Sequence, residues 1–513
     1  MKIGFLIDHR KCIGCHACTV ACKSEHDVPI GTYRTWVKYI EKGDYPDTKR
    51  FFSVLRCNHC VDAPCVTICP TTALFKRENG IVDFNNQNCI GCKSCMQACP
   101  YDALYIDPRS NTAAKCNFCA HRVEVGMQPA CEVVCPTQAI LSGDLDDNQS
   151  LISQMLSSNK TAVRKPEAQT KPKLYYINVN PSSIVPTEQT HTGGYLWAEP
   201  QLHQLMNDEQ ALSAAEAKAR TTYDVSHDRP WGWKVSAYLW TKSIAAGAFF
   251  VAALAMLIGL TKPGDWLMGT VASLISLVFL TITLGFLIWD LKRPERFFYI
   301  LLKPQWKSWL VIGGYILMVY AALLSLWFIA QWFELFTLMT PIIWLGGLFA
   351  VLTAIYSAFL FKQARGRVFW NSIFTPVHLL AQAMVAGSAS LLIVSVLGYW
   401  LGMKLYPEPT DEYLVYELLG ALVAHGALIA GEVFLPEENP EKSRAQRFIK
   451  DGMFSKLFWI GAAGIGTVLP ILLLATGAAH FDITGLLTAL LALAGVYLWE
   501  HIWVEAGQAV PLS

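Results

Sequence analysis

The last 378 residues of this 513-residue chain contain no cysteine, although the chain has 16 of them. All sixteen lie between Cys12 and Cys135. The N-terminus reads into Cys12 without an apolar signal segment or a twin-arginine pair, so the sequence does not indicate export to an oxidising compartment, where disulfides persist. We therefore interpret the cysteines as metal ligands.

The chain also lacks an excess of positive or negative charge. The formal net charge is only +1, and 16% of the residues are charged. Without an overall basic field, no nucleic acid is expected among the partners. Hydrophobic residues make up 53% of the chain, which indicates a membrane protein that associates with the lipid bilayer.

The composition divides the chain into four parts. Residues 1–150 are polar and rich in cysteine, and residues 233–506 consist of long apolar runs. We expect residues 151–232 to be a linker, because residues 157–194 are rich in Pro, Thr, Ser and Gln, with a short surface helix around residues 207–220. Residues 507–513 form a C-terminal tail.

Eight apolar runs follow one another in the second half of the chain. Each is close to the ~20 residues that a helix needs to cross the hydrocarbon of a bilayer. The runs cover residues 236–260, 267–289, 309–333, 339–361, 374–400, 413–434, 457–477 and 483–505. The sequence therefore predicts an all-α bundle of eight transmembrane helices, with both termini on one side.

The connecting loops indicate which side that is. Thirteen Lys and Arg residues lie in the loops after spans two, four and six, whereas the opposite loops hold only Lys262 and Lys404. Basic loops stay in the cytoplasm. We therefore expect a multi-pass protein of the inner (cytoplasmic) membrane, with the cysteine-rich domain and the C-terminus on the cytoplasmic side.

The cysteines form four groups of four, and Pro follows the last cysteine in three groups. A C-x2-C-x2-C-x3-C-P run is typical of bacterial ferredoxins, in which three thiolates hold one [4Fe–4S] cluster and the fourth reaches its neighbour. Zinc is the alternative for an isolated C-x2-C pair. The four groups predict an α+β ferredoxin-like domain with four 4Fe-4S clusters. They are Cys12, Cys15, Cys18, Cys22; Cys57, Cys60, Cys65, Cys69; Cys89, Cys92, Cys95, Cys99; and Cys116, Cys119, Cys131, Cys135.

The spacing of these groups, with four residues between Cys60 and Cys65 and eleven between Cys119 and Cys131, resembles the iron–sulfur subunits of dimethyl sulfoxide reductase, polysulfide reductase and formate dehydrogenase complexes. The resemblance covers roughly residues 1–150. It implies that groups one and four share two clusters, as do groups two and three. The implied ligand sets are Cys12, Cys15, Cys18, Cys135; Cys116, Cys119, Cys131, Cys22; Cys57, Cys60, Cys65, Cys99; and Cys89, Cys92, Cys95, Cys69.

Several ionisable residues lie in the predicted spans, where a charge costs about 2.5–3.5 kcal/mol at mid-helix on insertion scales. Reduction of a quinone takes up protons with electrons, and carboxylate and imidazole groups supply them. Alternatively, these residues pair with each other or reach the membrane surface. In span six, Glu417, His425 and Glu432 share one helix face. The candidates for quinone binding or proton relay are Glu432, His378, His425, Glu417, Asp290, Lys242, Glu500 and His501.

Histidines are scarce in the predicted spans, which offer only His378, His425 and His501. Two b-type haems would need paired histidines at suitable depths, so no haem is expected. Electrons should then pass directly between the nearest cluster and a quinone, either ubiquinone or menaquinone.

The segment after span two carries a second resemblance. It reads Asp290-Leu291-Lys292-Arg293-Pro294-Glu295-Arg296-Phe297-Phe298, followed by Leu301-Leu302-Lys303-Pro304 and Trp309. With the eight spans, this looks like the NrfD or polysulfide reductase membrane subunit family, whose members are usually haem-free quinone-binding anchors. Lys292 stands where many members have Gly, so the resemblance does not define the conformation of the turn at this position.

The sequence contains no pterin-binding domain, dinucleotide fingerprint or P-loop. The favoured hypothesis is therefore an electron-transfer and membrane-anchor subunit that connects the quinone/quinol pool with a separate catalytic subunit, of the molybdopterin oxidoreductase type by resemblance. The alternative is a hydrogenase-linked or ferredoxin-coupled quinone reductase subunit. Proton translocation through Glu417, His425 and Glu432 is a further hypothesis, compatible with either.

Overall fold

The computed structural model describes residues 2–191, 218–403, 408–476 and 483–513. In these residues an α+β domain, here called the ferredoxin domain, precedes a helical domain, here called the membrane domain. This order of an α+β and an all-α region confirms the predicted fold class.

Two four-stranded sheets and two hairpins form the framework of the ferredoxin domain. One sheet has the order β8-β1-β10-β9, the other β11-β12-β2-β3, and the hairpins are β4-β5 and β6-β7. In the first sheet β1 runs parallel to β10 and antiparallel to β8. The strands are β1 (Ile3–Asp8), β2 (Thr35–Lys42), β3 (Lys49–Arg56), β4 (Leu74–Lys76), β5 (Val82–Phe84), β6 (Leu104–Asp107), β7 (Thr112–Lys115), β8 (Ile140–Asp144), β9 (Thr161–Ala162), β10 (Leu174–Ile177), β11 (Gln189–His191) and β12 (Ala219–Tyr223).

Part of the expected linker is folded into these sheets. Strand β10 pairs with β1 in the register Phe5 to Leu174, and β12 pairs with β2 in the register Ile40 to Thr221. Most of the expected surface helix lies outside the described residues, and its last residues belong to β12. The interpretation of residues 151–232 as linker is therefore wrong for these strands, because four- and five-residue strands in a polar segment show no clear alternation of apolar residues.

Short helices carry many of the cysteines. Helix α1 holds Cys18 and Cys22, and single cysteines lie on α2, α3 and α5. The loops before these helices turn sharply, with left-handed backbone conformations at Gly14 and elsewhere. The helices of this domain are α1 (Ala17–His26), α2 (Pro64–Ile68), α3 (Ser94–Ala98), α4 (Ala120–Val123), α5 (Ala130–Val133) and α6 (Leu151–Ser158).

The second domain has eight helices, counted over the described residues, that are long and apolar enough to cross a membrane, and this confirms the predicted number of spans. π-Helical segments at Trp266–Val271 and Leu457–Val468 begin the second and seventh spans. The helices are α7 (Trp233–Leu257), α8 (Ala272–Trp289), α9 (Tyr299–Leu302), α10 (Trp309–Trp332), α11 (Phe336–Gln363), α12 (Thr375–Trp400), α13 (Glu408–Phe434), α14 (Pro440–Lys450), α15 (Leu469–Ala475) and α16 (Ile483–Ala509). Helices α9 and α14 lie in loops between spans.

Helices α7 and α12 form the interior pair of the bundle and approach each other closely. A Cβ atom on Gly247 would lie 1.7 Å from the carbonyl oxygen of Ala383, and one on Gly387 would lie 2.2 Å from the carbonyl carbon of Gly247. Small residues at such contacts let the two backbones touch, which is how helices gain packing energy in lipid.

The third cysteine group lies against the membrane domain. The backbone N–H of Lys292 donates to the carbonyl oxygen of Gly91 at 3.2 Å, and Lys93 forms a 2.8 Å ion pair with Asp290. Gly91 has a φ of +68°, and a Cβ there would lie 2.6 Å from the Cβ of Lys292. This turn therefore needs glycine both for its conformation and for its contact with the membrane domain.

The end of the loop after span two and the loop after span four hold the same face of the ferredoxin domain. Gln97 accepts a backbone hydrogen bond from Gly366 at 3.1 Å and a side-chain hydrogen bond from Arg367 at 2.9 Å. Ser308 donates to the carbonyl oxygen of Ile68 at 2.7 Å. The loops after spans two and four therefore fix the second and third cysteine groups at the membrane domain.

Candidate functional site

None of the sixteen cysteines, all of which the structure describes, forms a disulfide. Cys12, Cys15 and Cys18 of the first group line one cavity together with Cys135 of the fourth group. Cys69 of the second group lines another with the first three cysteines of the third group, Cys89, Cys92 and Cys95. The fold thus brings together cysteines that are distant in sequence, in the combinations that the resemblance implies.

The other two sets are indicated by the electrostatic effect of neighbouring thiols on the pKa of one cysteine in each set. Burial raises the pKa of Cys22 and of Cys65, and in each case three neighbouring thiols raise it further. A group of four thiolates is stable only around a positive centre, because like charges repel at short range. The neighbours are Cys116, Cys131 and Cys119 for Cys22, and Cys99, Cys57 and Cys60 for Cys65.

The thiols of two of the sets line cavities, as the ligands of a cluster do. Zinc binds sulfur at about 2.3 Å and draws its four ligands together. Among the described residues, no three His, Cys, Asp or Glu side chains are placed to hold one ion. Four thiols around a cavity fit a larger group, such as an iron–sulfur cubane.

Buried donors next to the thiols support the same interpretation. Arg56 donates from Nη1 to the sulfur of Cys131 at 3.0 Å, while its Nε and Nη2 have no hydrogen-bond partner within the described part of the chain. His59 is fully buried and its Nε2 is equally without a described partner. Inorganic sulfide would accept such hydrogen bonds, which is how the surroundings of a cluster tune its potential.

Nothing in the sequence indicated these donors. Arg56 ends β3 immediately before the second cysteine group, and His26, whose Nε2 lies 3.2 Å from the sulfur of Cys119, ends α1. Both are 75 or more positions from the cysteine they contact. Their contacts arise from the packing of separate elements, which spacing along the chain does not show.

In the membrane domain, three predicted residues from two spans meet near the ferredoxin domain. The Nε2 of His378, on α12, lies 3.0 Å from the Nδ1 of His425, on α13. The Nδ1 of His378 lies 3.3 Å from Oε2 of Glu432, which is an ion-pair distance without the alignment of a hydrogen bond. His378 thus links a carboxylate and a second imidazole, and it can take a proton from one and pass it to the other.

A small cavity, here called the polar cavity, lies beside His378. Its volume is about 10 Å³, which is room for about one water molecule at most and far below the ~300 Å³ at which small-molecule pockets usually begin. A quinone headgroup therefore enters only if lining side chains move apart. Three of the lining residues, His378, Glu432 and Glu500, were predicted from the sequence, and the others were not. The lining consists of Leu239, Thr375, His378, Leu379, Gln382, Glu432, Trp499, Glu500 and Trp503.

Several polar atoms at the polar cavity have no hydrogen-bond partner among the described residues. They include Oε2 of Glu500, whose other oxygen accepts from Ser243 at 3.3 Å, and the side-chain oxygens of Gln382 and Thr375. Unpaired polar groups are costly inside a membrane. Their concentration at one cavity fits a polar ligand such as the carbonyl groups of a quinone.

The other candidates lie outside the polar cavity. Lys242 is buried and donates to the carbonyl oxygen of Ala354 at 2.8 Å and to Ser357. Asp290 pairs with Lys93 of the ferredoxin domain, and His501 lies 3.5 Å from the hydroxyl of Ser236. Glu417 is on α13 with neither carboxylate oxygen hydrogen-bonded within the described residues. These four therefore have contacts or positions separate from the cluster around His378.

Comparison with known proteins identifies both domains. A family profile described as "Polysulphide reductase, NrfD" matches residues 222–511, and one described as "4Fe-4S dicluster domain" matches residues 48–145. The ferredoxin domain is similar to a tetrathionate reductase subunit of Salmonella typhimurium, with 41% identity over 189 residues, which are 36% of this chain and 76% of that protein.

Other relatives match the same part of the sequence. A polysulfide reductase subunit of Wolinella succinogenes is 43% identical over 181 residues, covering 34% of this chain and 94% of that protein. Protein NrfC of Escherichia coli is 43% identical over 180 residues, covering 34% of this chain and 81% of that protein. The chain therefore belongs to the NrfD polysulphide reductase family, with its membrane domain fused to an iron–sulfur domain related to the electron-transfer subunits of reductase complexes.

Proposed function

We propose that the chain carries electrons between a membrane quinone or quinol and a separate catalytic subunit through four [4Fe–4S] clusters. The observation that supports this most is the position of the third cysteine group. Its turn at Gly91 touches the loop at Lys292, and the polar cavity with His378 and Glu432 lies in the same end of the membrane domain. A redox centre and a polar site for a redox partner are thus neighbours.

Each proposed cluster takes three cysteines from one group and one from another. The sets are those that the cavities and the mutual thiol effects bring together. Tetrahedral thiolate ligation of a cubane requires four sulfurs that surround it. The proposed sets are Cys12, Cys15, Cys18, Cys135; Cys116, Cys119, Cys131, Cys22; Cys57, Cys60, Cys65, Cys99; and Cys89, Cys92, Cys95, Cys69.

The catalytic partner would dock at the cluster of Cys12 and Cys15, which we propose as the far end of the path. Cys15 is exposed there. Apolar side chains that usually avoid water are exposed around it, and such patches mark docking surfaces. By its resemblance to the reductase complexes, we propose a partner with a molybdopterin cofactor. The exposed apolar residues are Ile13, Val20, Val133 and Val134.

The polar cavity supplies the proton chemistry in this proposal. A bound quinone accepts two electrons and two protons at its two carbonyl oxygens. From Nδ1, which lies 3.3 Å from Glu432 without a hydrogen bond to it, His378 can donate a hydrogen bond to one of them. His425, at Nε2 of His378, can replace the proton that His378 gives up. Glu500, with one oxygen free of partners among the described residues, can hold the second carbonyl when protonated. Trp499 and Trp503 exclude water from the site.

The orientation proposed from the loops places the ferredoxin domain in the cytoplasm. Thirteen basic residues in the loops on the ferredoxin side, against two on the other, support it. Reporter fusions at the loop around Lys262 and at the C-terminus would test the orientation. A reporter enzyme that is active only outside the cytoplasm should be active when it is fused in the loop around Lys262 and inactive when it is fused at the C-terminus.

Metal analysis and quinone kinetics of the full chain test the proposal. Four cubanes give 4 × 4 irons per chain, or about 16. His378→Gln should leave reduction of the clusters by a dye unchanged and slow quinol-linked electron flow on the order of a hundredfold, as for loss of a general acid–base group. His501→Gln is the matched control, because this half-buried histidine lies outside the polar cavity. Equal quinol kinetics in His378→Gln and native protein would remove the polar cavity from the function.

A further inference from the structure

Four large aromatic residues form a continuous cluster, here called the aromatic bridge, in the core of the membrane domain next to the ferredoxin domain. The ring centroids of Trp231 and Trp370 are 5.5 Å apart in stacked orientation, and those of Trp370 and Trp503 are 6.0 Å apart. Phe361 lies within 5.4 Å of the ring centroid of each of the three tryptophans. All four side chains are at most 4% exposed.

The two ends of the aromatic bridge meet the two redox sites. At one end, the indole N–H of Trp231 donates to the carbonyl oxygen of Cys92, at 3.4 Å. Cys92 belongs to the cysteine set that is held against the membrane domain. At the other end, Trp503 lines the polar cavity together with His378. The bridge thus extends from the backbone of a proposed cluster ligand to the proposed quinone site.

The middle of the bridge is fixed in place. The indole N–H of Trp370 donates to the carbonyl oxygen of Trp503 at 3.1 Å. A Cβ atom on Gly507 would lie 2.1 Å from Nε1 of Trp370, so only glycine leaves room for this ring. The stacking of Trp231 on Trp370 is therefore set by the fold and does not depend on mobile side chains.

We infer that the aromatic bridge is the route by which electrons cross between the cluster bound by Cys92 and a quinone in the polar cavity. The inference rests on the proposed function. Electronic coupling between two redox centres falls steeply across gaps between atoms, and rings in van der Waals contact leave few such gaps. Two electrons pass along the bridge for each quinone reduced, and the rings themselves are neither oxidised nor reduced at the end.

The test is the rate of electron transfer in single-turnover experiments on the full chain. Clusters are first reduced with a dye, and their reoxidation by an added short-chain quinone is followed by their visible absorption. Trp370→Leu keeps an apolar side chain and removes the ring, whereas Trp370→Phe keeps an aromatic ring. Trp327→Leu is the matched control, because Trp327 is equally buried and donates to Gly269 in another part of the bundle.

We expect Trp370→Leu to slow reoxidation of the clusters on the order of tenfold. Trp370→Phe should slow it by about threefold at most. Cluster potentials, measured by EPR titration, and quinone affinity should equal those of native protein in both variants. Native rates in Trp327→Leu support the inference. Native rates in Trp370→Leu, or slowing in Trp370→Leu that is matched by Trp370→Phe or by Trp327→Leu, would overturn it. If native protein itself fails to pass electrons to any quinone, the proposed function fails first.

Discussion

The two domains fill their interiors in different ways. The ferredoxin domain buries thiols from Cys18 to Cys131 among short strands, and its largest buried side chains include the charged Arg56. The membrane domain instead brings backbones into contact, as at Gly247 and Gly387. The first domain therefore depends on an inorganic group to offset the charge of its thiolates, whereas the second depends on steric fit.

The buried charges of the two domains differ in a similar way. On the ferredoxin side, Lys38 and Asp224 form a buried ion pair at 3.1 Å. At the polar cavity of the membrane domain, both carboxylate oxygens of Glu432 and one of Glu500 have no hydrogen-bond partner among the described residues. Groups that are already paired stabilise a structure, and groups left unpaired in lipid indicate a place for a ligand.

Among the substitutions that distinguish the two domains, Gly247→Ala is expected to have the largest effect on stability. The added methyl group would overlap the backbone of α12 at Ala383, and overpacking of this kind costs about 3 kcal/mol. The apparent melting temperature of the membrane domain in detergent, followed by tryptophan fluorescence, should fall. Cluster absorption before melting should stay native.

Gly285→Ala is the control for this substitution, because no atom lies within 4 Å of the position of its Cβ. It should leave the melting temperature unchanged or raise it, since Ala favours a helix over Gly by about 1 kcal/mol. Equal melting temperatures in the two variants would show that contact between α7 and α12 does not limit stability.

A smaller effect is expected at the boundary between the domains. Asp290→Asn leaves the ammonium group of Lys93, only 7% exposed, without its anionic partner. Breaking such a pair costs about 2 kcal/mol or more. Hydrogen exchange of residues 86–99 should become faster, since this segment is held by the membrane domain.

The exposed pair of Lys2 and Asp146, 3.2 Å apart, provides the comparison. Asp146→Asn should leave stability nearly unchanged, because water screens exposed pairs. If Asp290→Asn leaves exchange at residues 86–99 as slow as Asp146→Asn does, the ion pair does not contribute to docking.

The smallest effect concerns pH and is confined to the ferredoxin side. Burial alone would lower the pKa of His227, but the carboxylate of Asp102, 3.0 Å away, outweighs it, and the pKa is raised above 6.5. A raised pKa stabilises the folded state below the unfolded value of 6.5, and this contribution is lost as the pH rises through the folded value. Stability to guanidinium, followed by cluster bleaching, should therefore fall as the pH increases above 6.5.

His227→Gln should remove this pH dependence while leaving that of other groups. Asp102→Asn, which removes the partner, should abolish this fall of stability with increasing pH, because burial then lowers the pKa of His227. A native pH profile in His227→Gln would show that this pair does not couple protonation to folding.

Features that repeat along the chain could be predicted from the sequence. The eight apolar runs correspond to eight candidate spans, because a membrane sets the length of each helix independently of its neighbours. The iron–sulfur character of the N-terminal domain was predictable in the same way, since the cysteines within one group are close in sequence.

Features that depend on contact between distant segments could not be predicted. Helix periodicity placed Glu417, His425 and Glu432 on one face of α13, but the partner of His425 is His378, 47 positions away. Similarly, nothing near Trp231 indicated that it would stack on Trp370. A single sequence shows which side chains share a helix face, and only the packing of helices shows what that face meets.

The connection between the domains is short, since only residues 224–232 separate β12 from α7. Nine residues reach at most about 30 Å, and a tether of this kind gives an effective local concentration of about millimolar. Association of the two halves is thereby intramolecular, and contacts too weak to join two freely diffusing proteins suffice. Substitutions that weaken the contacts between the two domains should therefore be tolerated in the fused chain. The same substitutions would separate the two domains if the polypeptide were divided in two.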